Sequence, residues 1–195
     1  MEILTKEDLL SALITHCVPI DRWGAEGTKT VDDLFGEVNR GESRFELQPD
    51  GPKNTALIRH VQVAAVVVYY RDGESLMMLI EGDREHVSGD VTRRELDTSI
   101  SEKVMPGEVP MLAAQRAFRE ELGISDPPNL EAVKNFEKDT ARSSSYPGLM
   151  TRYEMHVFVA HMPDHHFRSG GYAEHQTKKT SRFNWTKVQD VAVAA

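Results

Sequence analysis

The sequence predicts an α+β fold built on a mixed sheet, with a short helical extension at its N-terminus. Three observations carry this expectation. Val61 to Tyr70 (VQVAAVVVYY) is a β-branched and aromatic run that reads as a buried central strand. Asp72-Gly73 follows it as a hairpin signal. Pro110 to Leu122 then gives a helical pattern set between strand-like segments, the arrangement of a sheet with helices packed on it.

The elements follow in order. Thr5 caps a helix whose apolar positions are Leu9, Leu10, Leu13 and Ile14, with Asp8 in its first turn and Pro19 beyond its end. Thr30 caps a second helix, with Val31, Leu34, Phe35 and Val38 spaced for one face. Phe45 and Leu47 alternate with polar residues as a short strand, and Gln48-Pro49-Asp50-Gly51-Pro52 is the clearest break. Residues 1–50 are therefore expected to form an extension, and residues 55–195 the main domain. Within that domain Leu76 to Ile80 returns as the hairpin partner, and residues 83–99 read as a charged loop or lid. Gly123 sits where the C-cap of the 110–122 helix belongs. Tyr153 to Ala160 is a further strand, 163–172 a loop, Arg182 to Trp185 a late strand, and Val188 to Ala195 the start of a helix.

Composition bounds the function. The 195 residues include 31 acidic and 23 basic side chains, a formal charge of −8. An acidic balance argues against duplex nucleic acid as a partner, because phosphate binding needs clustered Lys and Arg. It leaves nucleotides open, since carboxylates reach phosphate through a divalent cation. Cys17 is the single cysteine, so no internal disulfide and no cysteine-based metal site is expected; on an apolar-rich helix it reads as a small packed residue. The longest apolar run falls well short of the roughly 20 residues of a membrane span, so no membrane partner is expected and a cytoplasmic location is the default.

The chemistry-bearing segment is Glu102 to Ile124 (EKVMPGEVPMLAAQRAFREELGI). Arg116 lies one turn before Glu120, so the two share a helix face, with Glu121 beside them and Glu108 in the loop that enters the helix. Three carboxylates and an arginine converge where a loop meets a helix. Such oxygen-only donor sets suit Mg²⁺ or Mn²⁺. An Arg-x-x-x-Glu-Glu helix is also often a solvated face with an ion pair, and the wider spacing decides against that.

This stretch resembles the box of the Nudix hydrolase family, G-x5-E-x7-R-E-U-x-E-E-x-G-U, through Glu108, Arg116, Phe118, Glu120, Glu121, Gly123 and Ile124. The resemblance implies an α/β/α sandwich around the mixed sheet. It also implies hydrolysis of the diphosphate bond in a nucleoside diphosphate derivative, with Mg²⁺ or Mn²⁺ as cofactor. On that resemblance Glu120 and Glu121 are metal-binding carboxylates, Glu108 and Arg116 form an orienting ion pair with Glu108 also near metal, and the backbone carbonyl of Glu102 is a further ligand. A Glu from a late loop often completes such sites, and Glu174 in Gly170-Gly171-Tyr172-Ala173-Glu174-His175 holds that place as candidate general base. The stretch around Ser145-Tyr146-Pro147-Gly148 loosely resembles ADP-ribose pyrophosphatases. Tyr146 is then a candidate to stack on a base or ribose, and Arg142 and Arg152 to meet phosphate. This favours a nucleotide-sugar or ADP-ribose-like small molecule as partner.

Two positions depart from the family pattern. Glu102 stands where the box has glycine, preceded by Ser101, so a reshaped loop is expected. Ala117 stands where the box has its first helix carboxylate, which removes one oxygen ligand and predicts weakened cation binding. A substitution Ala117→Glu is expected from sequence to raise metal affinity. Two further readings stay open: a catalytically weak nucleotide-binding sensor, and a partner-binding scaffold in which residues 1–50 mediate a homodimer. His161, His165, His166 and His175 lack ligand spacing and read as surface, Trp23 and Phe35 as packing, and Met77 and Met78 as core.

Overall fold

Thr5 and Thr30 each open a helix through a full capping box. Thr5 Oγ1 accepts from the Asp8 N–H while the Asp8 carboxylate accepts from Thr5, and Thr30 and Asp33 repeat the exchange. The helices are α1, Lys6–Thr15, and α2, Val31–Asn39. Leu9 and Leu13 of α1 and Leu34 of α2 are buried with Phe45, Leu57, Tyr146 and Leu149 in one apolar cluster, against which Trp23 and Phe35 also pack. The computed structural model describes residues 3–25, 27–50, 54–87, 89–93, 98–140, 143, 145–177 and 179–188. The helix expected from Val188 onward therefore lies outside the described residues apart from Val188, and so does Arg142.

The strands are β1 Arg44–Pro49, β2 Thr55–Asp72, β3 Ser75–His86, β4 Val91–Arg93, β5 Ile100–Lys103, β6 Leu130–Thr140, β7 Thr151–His161, β8 Tyr172–His175 and β9 Lys179–Lys187. The third helix, α3, is Pro110–Leu122. The described strands hydrogen-bond in the order β6-β7-β2-β3-β9-β8, with β1 and β5 added to β2 and β4 to β3. A sheet of this kind with a few helices is an α+β architecture. Asp72 pairs with Ser75, so Gly73 and Glu74 form the hairpin turn that Asp72-Gly73 predicts.

The chain divides into two compact units. One is Met1–Val63 with Lys103–Glu108 and Asn135–Met155; the other is Ala64–Glu102 with Val109–Lys134 and His156–Ala195. In the first unit, a carboxylate sits at the centre of a polar cluster. Glu37 on α2 is 1% exposed and ion-pairs with Arg59 (2.7 Å), Lys103 (2.7 Å) and Lys29 (2.6 Å). Ser43 donates to its second oxygen at 3.0 Å and accepts from Arg59 at 2.9 Å. Burial pushes the Glu37 carboxyl up, but the charges of Arg59, Lys103 and Lys29 outweigh it and hold the group well below the ordinary carboxylate range.

Several expectations are corrected. Within residues 83–99, β3 continues to His86 and β4 occupies 91–93, because β9 and β4 supply ladder partners that no local pattern announces. Cys17 follows α1 rather than lying in it, with a φ of 54°, and is exposed. Met77 and Met78 are half-buried on β3. Glu174 lies on a strand, β8, rather than in a loop.

Candidate functional site

The site elements belong to the second unit. Val109 precedes α3, Pro110 opens it where a missing N–H costs nothing, and Gly123 closes it in the left-handed region at φ 67°. The helix buries Ala113, Ala114, Ala117, Phe118 and Leu122. That choice of face leaves Glu120 exposed and Glu121 half-buried at the edge of the packed stripe. Beside α3, β5 is tied down by Ser99, whose Oγ accepts from the Val68 N–H at 2.8 Å and donates to the Leu79 carbonyl at 2.5 Å.

The backbone of β5 reaches α3 where the Ser101 N–H donates to Glu121 Oε1 at 2.9 Å. Ser101 and Glu102 are ordinary extended strand, and Cys17 is the one described non-glycine residue with positive φ. The absence of glycine at 101 and 102 therefore costs no backbone strain, because a strand needs no left-handed residue. The reshaped loop expected there is an ordinary strand. Arg116 reaches Glu102 and Glu120 at 3.6 Å each.

Glu121 is surrounded by like charge. Burial raises its carboxyl well above the ordinary range, the Ser101 N–H opposes that, and Glu174, Glu81 and Glu102 push it further up. Glu174 is half-buried on β8, which packs against α3, and its Oε1 accepts from Gln176 at 2.5 Å. Glu81, the last residue of the apolar part of β3, is buried and paired with Arg84. Sequence reasoning passed over Glu81. Its signal was present, as a single carboxylate closing the run Leu76-Met77-Met78-Leu79-Ile80.

Glu108 lies in the first unit, where its Oε2 accepts from the Met105 N–H at 2.8 Å and closes the turn 105–108. Arg152 forks onto Asp139 with two bonds of 2.8 Å and also reaches Gln48, so its guanidinium already serves a protein carboxylate. Tyr146 is 0% exposed, packed at 5.1 Å from the Trp23 ring with the Arg59 guanidinium 4.8 Å above it. A ring without exposed surface offers no stacking face to a solution ligand, so the expected base-stacking role is corrected to a core one. His161, His165 and His175 are exposed, and His166 bonds the Asp126 carbonyl at 2.8 Å.

Three carboxylates, Glu81, Glu102 and Glu174, thus act on Glu121 from β3, β5 and β8. An all-oxygen set of this kind suits a hard divalent cation chemically. Among the described residues, no three His, Cys, Asp or Glu side chains stand together at ligating spacing. Ala117 is 0% exposed, and it brings no oxygen to the group. No described helix is long and apolar enough to cross a membrane.

Comparison with solved structures finds similarity to an Ap4A hydrolase of C. elegans, at 16% identity over 65% of this chain and 79% of that one, with a TM-score of 0.36. The NUDIX domain of Shewanella oneidensis NrtR, solved with ADP ribose, is similar at 12% identity over 74% and 80%, TM-score 0.37. The MERS1 protein of T. brucei in its apo form is similar at 15% identity over 78% and 57%, TM-score 0.35. No curated protein sequence matches significantly. The NUDIX domain family model matches residues 59–195, well over half of the sequence, and takes in α3, β5, β8 and the four carboxylates: the chain belongs to the NUDIX domain family.

Proposed function

We propose that the protein is a divalent-cation-dependent hydrolase that cleaves the diphosphate bond of a nucleoside diphosphate derivative, with nucleotide-sugar or ADP-ribose-like compounds as the favoured substrates. The observation that carries this reading is the position of Glu121, half-buried, bonded to the Ser101 N–H and acted on by Glu81, Glu102 and Glu174. Glu120, Glu121 and Glu102 would hold the ion. Mg²⁺ or Mn²⁺ bound there would screen phosphate charge and acidify a bound water. The chain's own residues supply the rest. The Ser101 N–H fixes the direction of Glu121, and Arg116 restrains Glu102 and Glu120. Glu174, held by the Gln176 amide, is the candidate to take the proton of the attacking water.

The test is release of phosphate-containing product from a panel of nucleoside diphosphate derivatives with Mg²⁺ or Mn²⁺. Turnover is expected only with the cation, and Glu120→Gln or Glu121→Gln is expected to abolish it. Activity that survives chelation and both substitutions would overturn the assignment. A second reading, a nucleotide-binding module with little turnover, is favoured by the missing oxygen at Ala117 and by the 3.6 Å arginine contacts on Glu102 and Glu120. It predicts thermal stabilisation by a panel compound without hydrolysis.

A further inference from the structure

Glu81 on β3 and Ser181 on β9 are buried polar side chains to which the proposed hydrolysis gives no role as ligand or base. Glu81 on β3 is paired with Arg84. Ser181 on β9 is 1% exposed, and its hydroxyl has no hydrogen-bond partner among the described residues. The strand register fixes where they point. Glu81 lies opposite Phe183 across β3 and β9, and Ser181 lies opposite Glu174 across β9 and β8. Directly opposed residues of antiparallel strands share a face, and so do residues two apart on one strand. Glu81, Phe183, Ser181 and Glu174 therefore lie on one face of three adjacent strands.

A bulge refines the picture. Phe183 pairs with Glu81, and Ser181 pairs with Arg84, so β3 carries one residue more than β9 across this step. In a regular strand residues 81 and 84 point to opposite faces. The extra residue brings Arg84 to the face of Glu81 and Ser181, which is what allows the Glu81–Arg84 pair. On the same side, Glu121 of α3 is close enough to Glu81 and Glu174 to be acted on by both.

We propose that Glu81 and Ser181 belong to the cation site, Glu81 supplying from β3 the carboxylate that α3 lacks at Ala117 and Ser181 adding a fixed neutral oxygen. The inference rests on the cation-dependent reading of the site. Arg84 is the counter-ion of Glu81 and would compete with the cation for it. A buried hydroxyl without a partner, facing carboxylates, is a donor set waiting for an oxygen-seeking ion or its water.

The experiment is Mn²⁺ titration of the full chain, followed by calorimetry and by the electron paramagnetic resonance of free Mn²⁺, with no substrate present. Glu121→Gln is expected to remove binding. Glu81→Gln is expected to weaken it about tenfold or more, and Ser181→Ala about threefold, as the loss of a charged and of a neutral oxygen partner. Arg84→Met is expected to tighten binding about threefold by freeing Glu81. If Glu121→Gln removes binding while Glu81→Gln stays within twofold of wild type and Arg84→Met does not tighten it, the role of Glu81 is overturned and the cation site stands. Wild-type protein that binds no Mn²⁺ overturns both. If Glu81→Gln fails to fold, Arg84→Met and Ser181→Ala decide the matter by the same criteria.

Discussion

Glu37→Gln should be among the most destabilising single substitutions in the first unit. The side chain is 1% exposed and neutralises Arg59, itself 3% exposed, while Lys103 and Lys29 are 21% and 45% exposed. On loss of the carboxylate charge the two lysines turn to water along their flexible stems, whereas Arg59 stays buried under the Tyr146 ring. The cost therefore falls on one stranded guanidinium. Breaking a buried pair by removing one partner costs about 3–5 kcal/mol, and glutamine keeps one acceptor oxygen, so about 3 kcal/mol is expected. In urea this moves the midpoint down by about 1–3 M. Arg59→Met should cost less, because Glu37 keeps Lys29, Lys103 and Ser43. Removing both partners, Glu37→Leu with Arg59→Met, should recover much of the loss, since a buried pair exchanged for apolar residues is often neutral. A Glu37→Gln protein within about 1 kcal/mol of wild type, or one more stable than Arg59→Met, would refute this reasoning.

The same residue sets an acid limit. Its carboxyl is held well below its ordinary range in the folded state. As pH falls through that ordinary range, the unfolded chain takes up a proton that the folded chain refuses, so stability falls with pH. The contribution is complete above the ordinary carboxylate range and is lost progressively on acidification. Denaturation followed across the acidic range should show a shallower loss for Glu37→Gln than for wild type; parallel curves would contradict the assignment.

Three further outcomes are expected. Ala117→Glu places a carboxylate at a position with no exposed surface, so the cation-free protein should lose at least about 2 kcal/mol in urea denaturation, with millimolar Mn²⁺ returning part of it. The gain in metal affinity that the sequence suggests is then measured against that loss, and a cation-free variant as stable as wild type would show the position to be open. Gly171→Ala adds a Cβ 2.0 Å from the Phe183 carbonyl oxygen at a φ of 76°, so it should unfold several degrees lower and bind Mn²⁺ more weakly through displacement of β8, where an unchanged melting curve would count against it. Glu121→Gln should raise the melting temperature of the chelator-treated protein at neutral pH while removing Mn²⁺ binding, because it deletes a charge disfavoured by burial and by three carboxylates; a lower melting temperature would contradict the crowding described for it.

What the sequence made legible was whatever is written locally. The capping boxes at Thr5 and Thr30, Pro110 at the start of α3 and Gly123 at its end are signals within one helical turn, and all three helices begin or end where those signals stand. Periodicity failed where a strand has no buried face to report. β6, Leu130–Thr140, is exposed at nine consecutive positions on both faces, so no alternation marks it. β8 is too short to show a period, which is why Glu174 reads as a loop residue until its pairing with β9 is seen. Tyr146 stands beside Pro147-Gly148, a turn by every local rule, and only the packing of Trp23 and Arg59 over it buries the ring. Arg152 likewise looks available until Asp139, thirteen residues earlier, is found bound to it.

The net charge of −8 conceals two carboxylates of one residue type in opposite states. Glu37 and Glu121 both interrupt apolar helix faces, and a buried Glu in that position calls for a partner. α2 answers with three cations and a hydroxyl, so Glu37 is held ionised and its cluster is closed. At α3 a backbone N–H donates to Glu121 while burial and three further carboxylates outweigh it, so Glu121 is held where ionisation is disfavoured. A closed cluster stabilises and has no further capacity. An open one costs stability in the free protein, and that cost is recovered only when something cationic arrives. Proteins retain such a cost at sites of use, and on the proposed reading this asymmetry, more than the number of matching box positions, separates the chemistry of α3 from the architecture of α2.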